Sequence, residues 1–358
     1  MDSPSTHRPP SSPADLVRRS VQQALQNSRN TAKHHDMLRL DANESPFNSP
    51  DCRYPDAQLT RLKTLWGRHE GIPAKCCYLC SGTEQAVDLT YRIFCNPGLE
   101  EAVALTPSRS VYLRRAQLNE VHCTQVPLTD ETFQLSPEDV VDSVRHNTKV
   151  IFLCNPNSPT GNLLGEDNIA ALADLFPGIV VVDESYIEFT PHQSAVRLIN
   201  DHPNVVIIRS FSHAWASAAI RLAVVVAHPA LVKYYECMGL CHPVSNLTAD
   251  YAERLVRRRL DVDKWVRQLI DEREKVRIAL RQLPVCEKVY PSETNFLMVR
   301  LKNRNDVVRY LEEEGIAVQP LEGDSRTDNC VRITVSLPVD NSRLLGALRK
   351  YCETHVRS

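Results

Sequence analysis

Glycine is scarce in this 358-residue chain, with only 11 residues, so a glycine in a loop carries more weight than usual. Charge of one sign is also lacking. Forty-two Lys and Arg against 44 Asp and Glu leave a formal charge of -2, which gives no footing for nucleic acid or an anionic membrane. No apolar run approaches the ~18 to 20 residues that cross a bilayer. The opening "MDSPSTHRPPSSPADLVRRS" has no apolar signal core and reads as a polar tail, so the expected home is the cytoplasm. Cysteine is not lacking, but its twelve copies are scattered and make no disulfide scaffold. Cys77 and Cys80 have C-x-x-C spacing with no second pair to complete a metal site. They fall in "CCYLC", which alternates like a buried strand, so core thiols are expected rather than zinc ligands. Apolar content of 42% suits a globular protein with a real core.

Along the chain, a helix is expected from Pro13, with Val17, Val21 and Leu25 on one face, and a short strand in "MLRLDANESPFNSP". From about residue 61 to 261, helical stretches alternate with short apolar runs such as "EAVALTP", "TKVIFLC", "GIVVVD" and "NVVIIRS". Such runs between helices predict a mainly parallel sheet covered on both faces, with ligands at the carboxyl ends of its strands. After about 262 a long charged helix leads into a small mixed sheet with flanking helices. The expected division is a tail and helix over 1–36, a large cofactor-binding domain over 61–261, and a smaller α+β domain formed by 262–358 with an arm from 37–60.

Polar residues gather at the predicted strand ends. "SGTE" (81–84) lies between a strand and a helix, so the N–H groups of Gly82 and Thr83 could face an anion. Ser210, Ser212 and Arg221 in "SFSHAWASAAIR" add hydroxyls and a guanidinium suited to phosphate. "NPNSPTG" puts Asn155 at one strand end, and "DESY" puts Asp183 and Tyr186 at the next. Each alone is more ordinary as a cap or a turn. On successive strand ends they make a site.

The succession "LDANESPF", "RYPD", "SGTEQAVDL", "NPNSPTG", "DESYIEF", "RSFSHAWASAAIR", "NFLMV" and "RITVS", from about residue 38 to 340, resembles the histidinol-phosphate aminotransferase group of fold-type I pyridoxal 5′-phosphate (PLP) enzymes. The resemblance implies an α/β fold, with a mostly parallel seven-stranded-type sheet and a smaller α+β domain, in a homodimer acting on a small amino or keto acid. It implies that Asp183 pairs with the pyridine nitrogen, which makes the ring an electron sink, and that Asn155 and Tyr186 bond the ring hydroxyl. Gly82, Thr83, Ser210, Ser212 and Arg221 would hold the phosphate, and Tyr54 would reach it from the neighbouring subunit. Asn43 and Arg332 would meet the substrate, Arg332 clamping its carboxylate.

Five positions depart from that pattern. His213 stands where the family has the lysine that binds the cofactor covalently. An imidazole moves protons, with an ordinary pKa of ~6.5, but it has no primary amine to form the imine. Arg109 in "PSRSVY" stands for the ring-stacking aromatic, Ala216 and Ala219 for glycines, and Gln319 for an arginine. The expectation is therefore PLP, or its amine form pyridoxamine 5′-phosphate (PMP), held noncovalently with His213 as the proton-transfer base. A deoxysugar dehydratase group of this fold also carries histidine at the lysine position. Two alternatives stay open: a pseudoenzyme that binds without turnover, and a lysine-independent enzyme with another cofactor, such as a metal on His213, in the same cavity.

Overall fold

The apolar runs become the interior of a seven-stranded sheet. The computed structural model describes residues 12–27, 38, 40–48, 52–56 and 59–355. In chain order the first part runs α1 (Arg19–Asn27), α2 (Thr60–Glu70), β1 (Cys77–Cys80), α3 (Gly82–Phe94), β2 (Glu101–Thr106), α4 (Val111–Leu118) and β3 (His122–Pro127). It continues through α5 (Pro137–Asp142), β4 (Thr148–Cys154), α6 (Glu166–Leu175), β5 (Ile179–Asp183), β6 (Val205–Ser210), β7 (Ala223–Ala227), α7 (Pro229–Met238) and α8 (Asn246–Arg257). The strand order is β1-β7-β6-β5-β4-β2-β3. Pairings are parallel from β6 through β3, while β7 is antiparallel to both of its neighbours. Because β7 reverses twice, β1 points the same way as β6. The carboxyl ends of β1, β6, β5, β4 and β2 thus share one edge of the sheet.

Every residue of β5, β6 and β7 is buried, as strands covered on both faces require. All four residues of β1 are buried too, so the expected alternation in "CCYLC" gives way to burial on both faces, and Cys77 and Cys80 are core thiols. All twelve cysteines are free.

Near the N-terminus the expected helix is broken in two. Pro13–Leu16 forms a 3-10 turn whose Ser12 and Asp15 make a reciprocal cap, Val17 is extended, and α1 then begins at Arg19. The Gln22 side chain donates to the Ala14 and Val17 carbonyls and so satisfies the break, while Val17 and Val21 still reach the core. Among the described residues of 38–48 no strand forms, because Asn43 and Asn48 have φ of 55° and 60° and turn the chain.

The remaining elements are α9 (Arg259–Arg281), β8 (Cys286–Val289), β9 (Phe296–Leu301), α10 (Arg304–Glu313), β10 (Gln319–Pro320), β11 (Cys330–Thr334) and α11 (Pro338–His355). Their sheet, ordered β10-β11-β9-β8, is antiparallel throughout rather than mixed. Pro320, with no N–H to donate, ends the two-residue edge strand β10. Two apolar cores result. Helix α9 serves both, placing Val262 and Val266 in the first and Val276 and Leu280 in the second. Leu280 is fully buried. Leu280→Ala is expected to cost about 2 to 5 kcal/mol, read as a lowered urea midpoint.

Candidate active site

Asp183 closes β5 and is inaccessible to solvent. A carboxylate there must find its hydrogen bonds within the protein. Its Oδ1 accepts from the Ser185 backbone N–H at 3.0 Å and from the Ser185 hydroxyl. Its Oδ2 accepts from the Tyr112 hydroxyl at 3.1 Å and from Arg109 Nη1. Arg109 also donates to Ser185 Oγ at 3.0 Å and, through Nη2, to Thr83 Oγ1 at 3.3 Å. The guanidinium therefore reaches from the floor of the site at Asp183 to the start of α3. Burial pulls the Arg109 pKa down, but the Asp183 carboxylate together with Tyr112, Tyr186 and Cys154 more than offsets it and keeps the guanidinium charged.

A second group closes over this pair. The His213 imidazole stacks on the Tyr186 ring, with centroids 4.5 Å apart and planes 21° from parallel. Tyr186 in turn meets Phe296 edge to face at 5.3 Å. Arg332, on β11, lies 5.4 Å over the Phe296 ring and donates to Ser158 Oγ at 3.1 Å. Burial pushes the His213 pKa down to about 4, helped by the charges of Arg109 and Arg332 and opposed by Asp183. The imidazole is neutral at physiological pH. Asn155 sits at the end of β4, its N–H donating to the Asp183 carbonyl and its Oδ1 accepting from the Leu164 N–H at 2.9 Å.

The predicted phosphate end is built by α3 and the loop after β6. Gly82 has φ +80°, and a Cβ there would come 2.6 Å from Arg221 Nη2, so only glycine lets the guanidinium lie against the helix start. Arg221 is itself left-handed at φ 51° and donates to the Ala218 carbonyl. Ser210 Oγ accepts the Ser212 N–H at 3.0 Å, which curls the loop that carries His213.

Two of the expected site residues are not part of this cluster. Asn43 and Tyr54 line a separate cleft of about 430 Å³ with Glu44, Arg53, Ser245 and Asn246. The Tyr54 ring, 55% exposed, stacks on His242 at 4.9 Å. Gln319 is exposed on the edge strand β10. Among the described residues there is no group of three or more His, Cys, Asp or Glu placed to hold a metal ion, and no helix long and apolar enough to cross a membrane.

The sequence reading passed over Tyr112 and Ser185, though both lie within the quoted motifs "PSRSVY" and "DESY". It also passed over a buried charge cluster behind the His213 loop. Arg209 meets Glu188 at 2.9 Å, Glu70 at 3.1 Å and Glu184 at 3.8 Å. The Trp215 indole N–H donates to Glu188 at 3.3 Å, and Arg259 lies 4.7 Å over the same indole. Glu188 and Trp215 each follow a cavity residue by two positions, so the cluster pins the segments that carry Tyr186 and His213. Their signal was a charge inside or just after an apolar strand, at Arg209 and Glu184, where an unpaired charge would be costly.

The chain is similar to known proteins over most of its length. Residues 16–348 match the family model "Aminotransferase class I and II". The histidinol-phosphate aminotransferase of Bacteroides thetaiotaomicron is 35% identical over 312 residues, 87% of this chain and 90% of that protein. That of Flavobacterium psychrophilum is 32% identical over 339 residues, 94% and 97% of the two chains. The fold matches the histidinol-phosphate aminotransferase of Sinorhizobium meliloti, solved in complex with pyridoxal-5′-phosphate, with a TM-score of 0.77 at 18% identity over 95% of this chain and 89% of that one. The chain belongs to the class I and II aminotransferases, PLP-dependent enzymes, alongside the histidinol-phosphate aminotransferases.

Proposed function

We propose that the cavity over Asp183 binds PLP or PMP without a covalent link and serves an aminotransferase-type reaction on a small amino or keto acid. The observation that carries this reading is the His213 imidazole, stacked on Tyr186 at 4.5 Å and within electrostatic reach of Asp183, Arg109 and Arg332. The residues fit such a cofactor at both ends. Gly82 and Arg221 make the close cradle a phosphate needs at a helix start, and Asp183 is the buried acceptor a protonated ring nitrogen needs. Between them lies the Arg109 side chain, 20% exposed and long enough to turn aside. When bound, the cofactor supplies a carbonyl or amine and an electron-accepting ring.

The chain's own residues have the remaining tasks. Arg332, held by Ser158 and Phe296, offers a planar fork to a substrate carboxylate. His213 Nδ1 or Nε2 takes a proton as a neutral base, and Tyr186 fixes the plane of the ring. The substitution of His213 for the family's lysine supports a noncovalent hold. Asn43 and Tyr54, in their own cleft, would serve a neighbouring subunit's site in a homodimer. A second reading, binding without turnover, is favoured by one observation: Arg109 engages the very carboxylate that the cofactor ring would use.

Titration calorimetry is expected to show reversible PLP or PMP binding that dialysis removes; no binding at millimolar ligand would overturn the reading. His213→Ala is expected to keep that binding and slow turnover by ~10²- to 10⁴-fold. Turnover unchanged in this variant would assign the proton to another group, and binding with no turnover in the parent would select the second reading.

The His213 ring resonances are expected to titrate near pH 4 rather than ~6.5. Since the unfolded chain takes up this proton first, His213 removes stability as pH falls from ~6.5 toward 4 and nothing further below. Thermal melts of the parent and His213→Gln should diverge across that window, with the variant losing less.

Light scattering at micromolar concentration is expected to give a dimer mass, and Tyr54→Phe to weaken cofactor binding without changing that mass. A monomer would remove the role given to Tyr54.

A further inference from the structure

We infer that Arg109 is an internal surrogate for the cofactor's ring nitrogen, and so the residue that determines which ligand this site accepts and how tightly. The inference rests on the reading of the cavity as a PLP or PMP site. Its basis is a count of hydrogen bonds. A carboxylate offers about four lone-pair positions. At Asp183 all four are filled, by the Ser185 N–H, the Ser185 hydroxyl, the Tyr112 hydroxyl and Arg109 Nη1. A ring N–H can reach Asp183 only by replacing one of these donors.

Three of the four cannot leave. Ser185 is 1% exposed and bonds partly through its own backbone, and Tyr112 is fully buried, its ring stacked on Phe152 at 5.2 Å. Arg109 differs, being partly exposed and following β2 in a loop. It is the displaceable donor. Its guanidinium is also planar and cationic and offers an N–H, which are the properties of a protonated pyridine ring. Its second contact, to Thr83 at the start of α3, lies toward the phosphate end, so the side chain follows the line the cofactor would take.

Two consequences follow for ligand choice. The chain's own residues fill every acceptor position of Asp183, where a site without Arg109 would leave a buried carboxylate with no cation. A ligand that displaces Arg109 must bring its own cationic N–H donor. The site therefore selects ring-protonated pyridine phosphates and rejects neutral aromatic phosphates of the same shape.

The test uses the full chain with Arg109→Gln and Arg109→Lys, with PMP as the titrant and melting temperature as a second readout. Arg109→Gln is expected to melt lower than the parent when empty and to bind PMP at least about tenfold more tightly, the worth of one charge-assisted hydrogen bond no longer broken on binding. Its gain in melting temperature on saturation with PMP should exceed the parent's. Arg109→Lys keeps a cation and should remain close to the parent in both. Guanidinium chloride at low millimolar concentration should raise the melting temperature of empty Arg109→Ala while leaving the parent unchanged. Equal or weaker PMP binding in Arg109→Gln, where the parent does bind, overturns the inference while leaving the cofactor reading intact. If neither protein binds PMP, the cofactor reading falls and the surrogate role falls with it, and guanidinium rescue then tells only whether Asp183 requires a cation.

Discussion

A carboxylate at the end of a central strand, sealed from water, needs a cation and a full set of donors. Taking such a charge out of water costs several kcal/mol even after relaxation. Asp183 is in that position, and much of the cavity can be understood as what it demands. Ser185 curls back to meet it, Tyr112 turns its hydroxyl inward from α4, and Arg109 crosses the mouth of the sheet. The charge of that arginine then helps to keep His213 neutral. The single carboxylate thus shapes the backbone after β5, the rotamer at the start of α4 and the protonation state of the imidazole above it.

A second buried charge group supports the first from behind. Arg209 faces Glu70, Glu184 and Glu188, and Arg259 faces Glu70 and Asp263, two positive against four negative groups. Burial raises the Glu184 pKa to about 7, opposed by Arg209 and by bonds from Ser194 and Ala195. The stacked Tyr186 and His213 lie on segments anchored in this cluster, so the aromatic lid over Asp183 inherits its order from ion pairs it does not touch.

Much of this was legible in the sequence. Short Val- and Ile-rich runs bounded by polar turns marked β2, β4, β5 and β6, and the polar residues at their ends marked the cavity through Asp183, Tyr186, Ser210 and His213. The direction of β7 was not legible, because an all-buried run such as "AVVVA" reads the same parallel or antiparallel. Nor was the partner of Arg109. The order β5-β4-β2 puts the ends of β2 and β5 two strands apart, roughly 10 Å at the usual strand spacing. Only a long side chain spans that gap, and nothing within "PSRSVY" names its target. The charge cluster escaped for a related reason: Glu70, Glu188, Arg209 and Arg259 come from distant parts of the chain and meet only once the sheet has formed. Asn43 and Tyr54 were legible as motif residues but not as lining a separate cleft.

Helix α9 has a mechanical consequence. Its 23 residues make a rod of roughly 34 Å at 1.5 Å per residue, rooted by its first half in one core and by its second half in the other. Midway, the buried Arg273 guanidinium donates to the Thr294 carbonyl at 2.8 Å and to the Phe189 carbonyl at 3.4 Å, riveting the approach to β9 onto the turn that follows Tyr186. Phe296 and Arg332 ride on the small sheet, whereas Tyr186 and His213 ride on the large one. The two sheets are tied again beyond β10, where Thr106 Oγ1 donates to Asp324 at 3.0 Å and Arg326 donates to the Thr106 carbonyl at 2.6 Å, so a tilt of one sheet against the other would strain both ties at once. Phe296 follows Thr294 by two residues and Tyr186 precedes Phe189 by three, so their aromatic contact sits beside the Arg273 tie and would travel little.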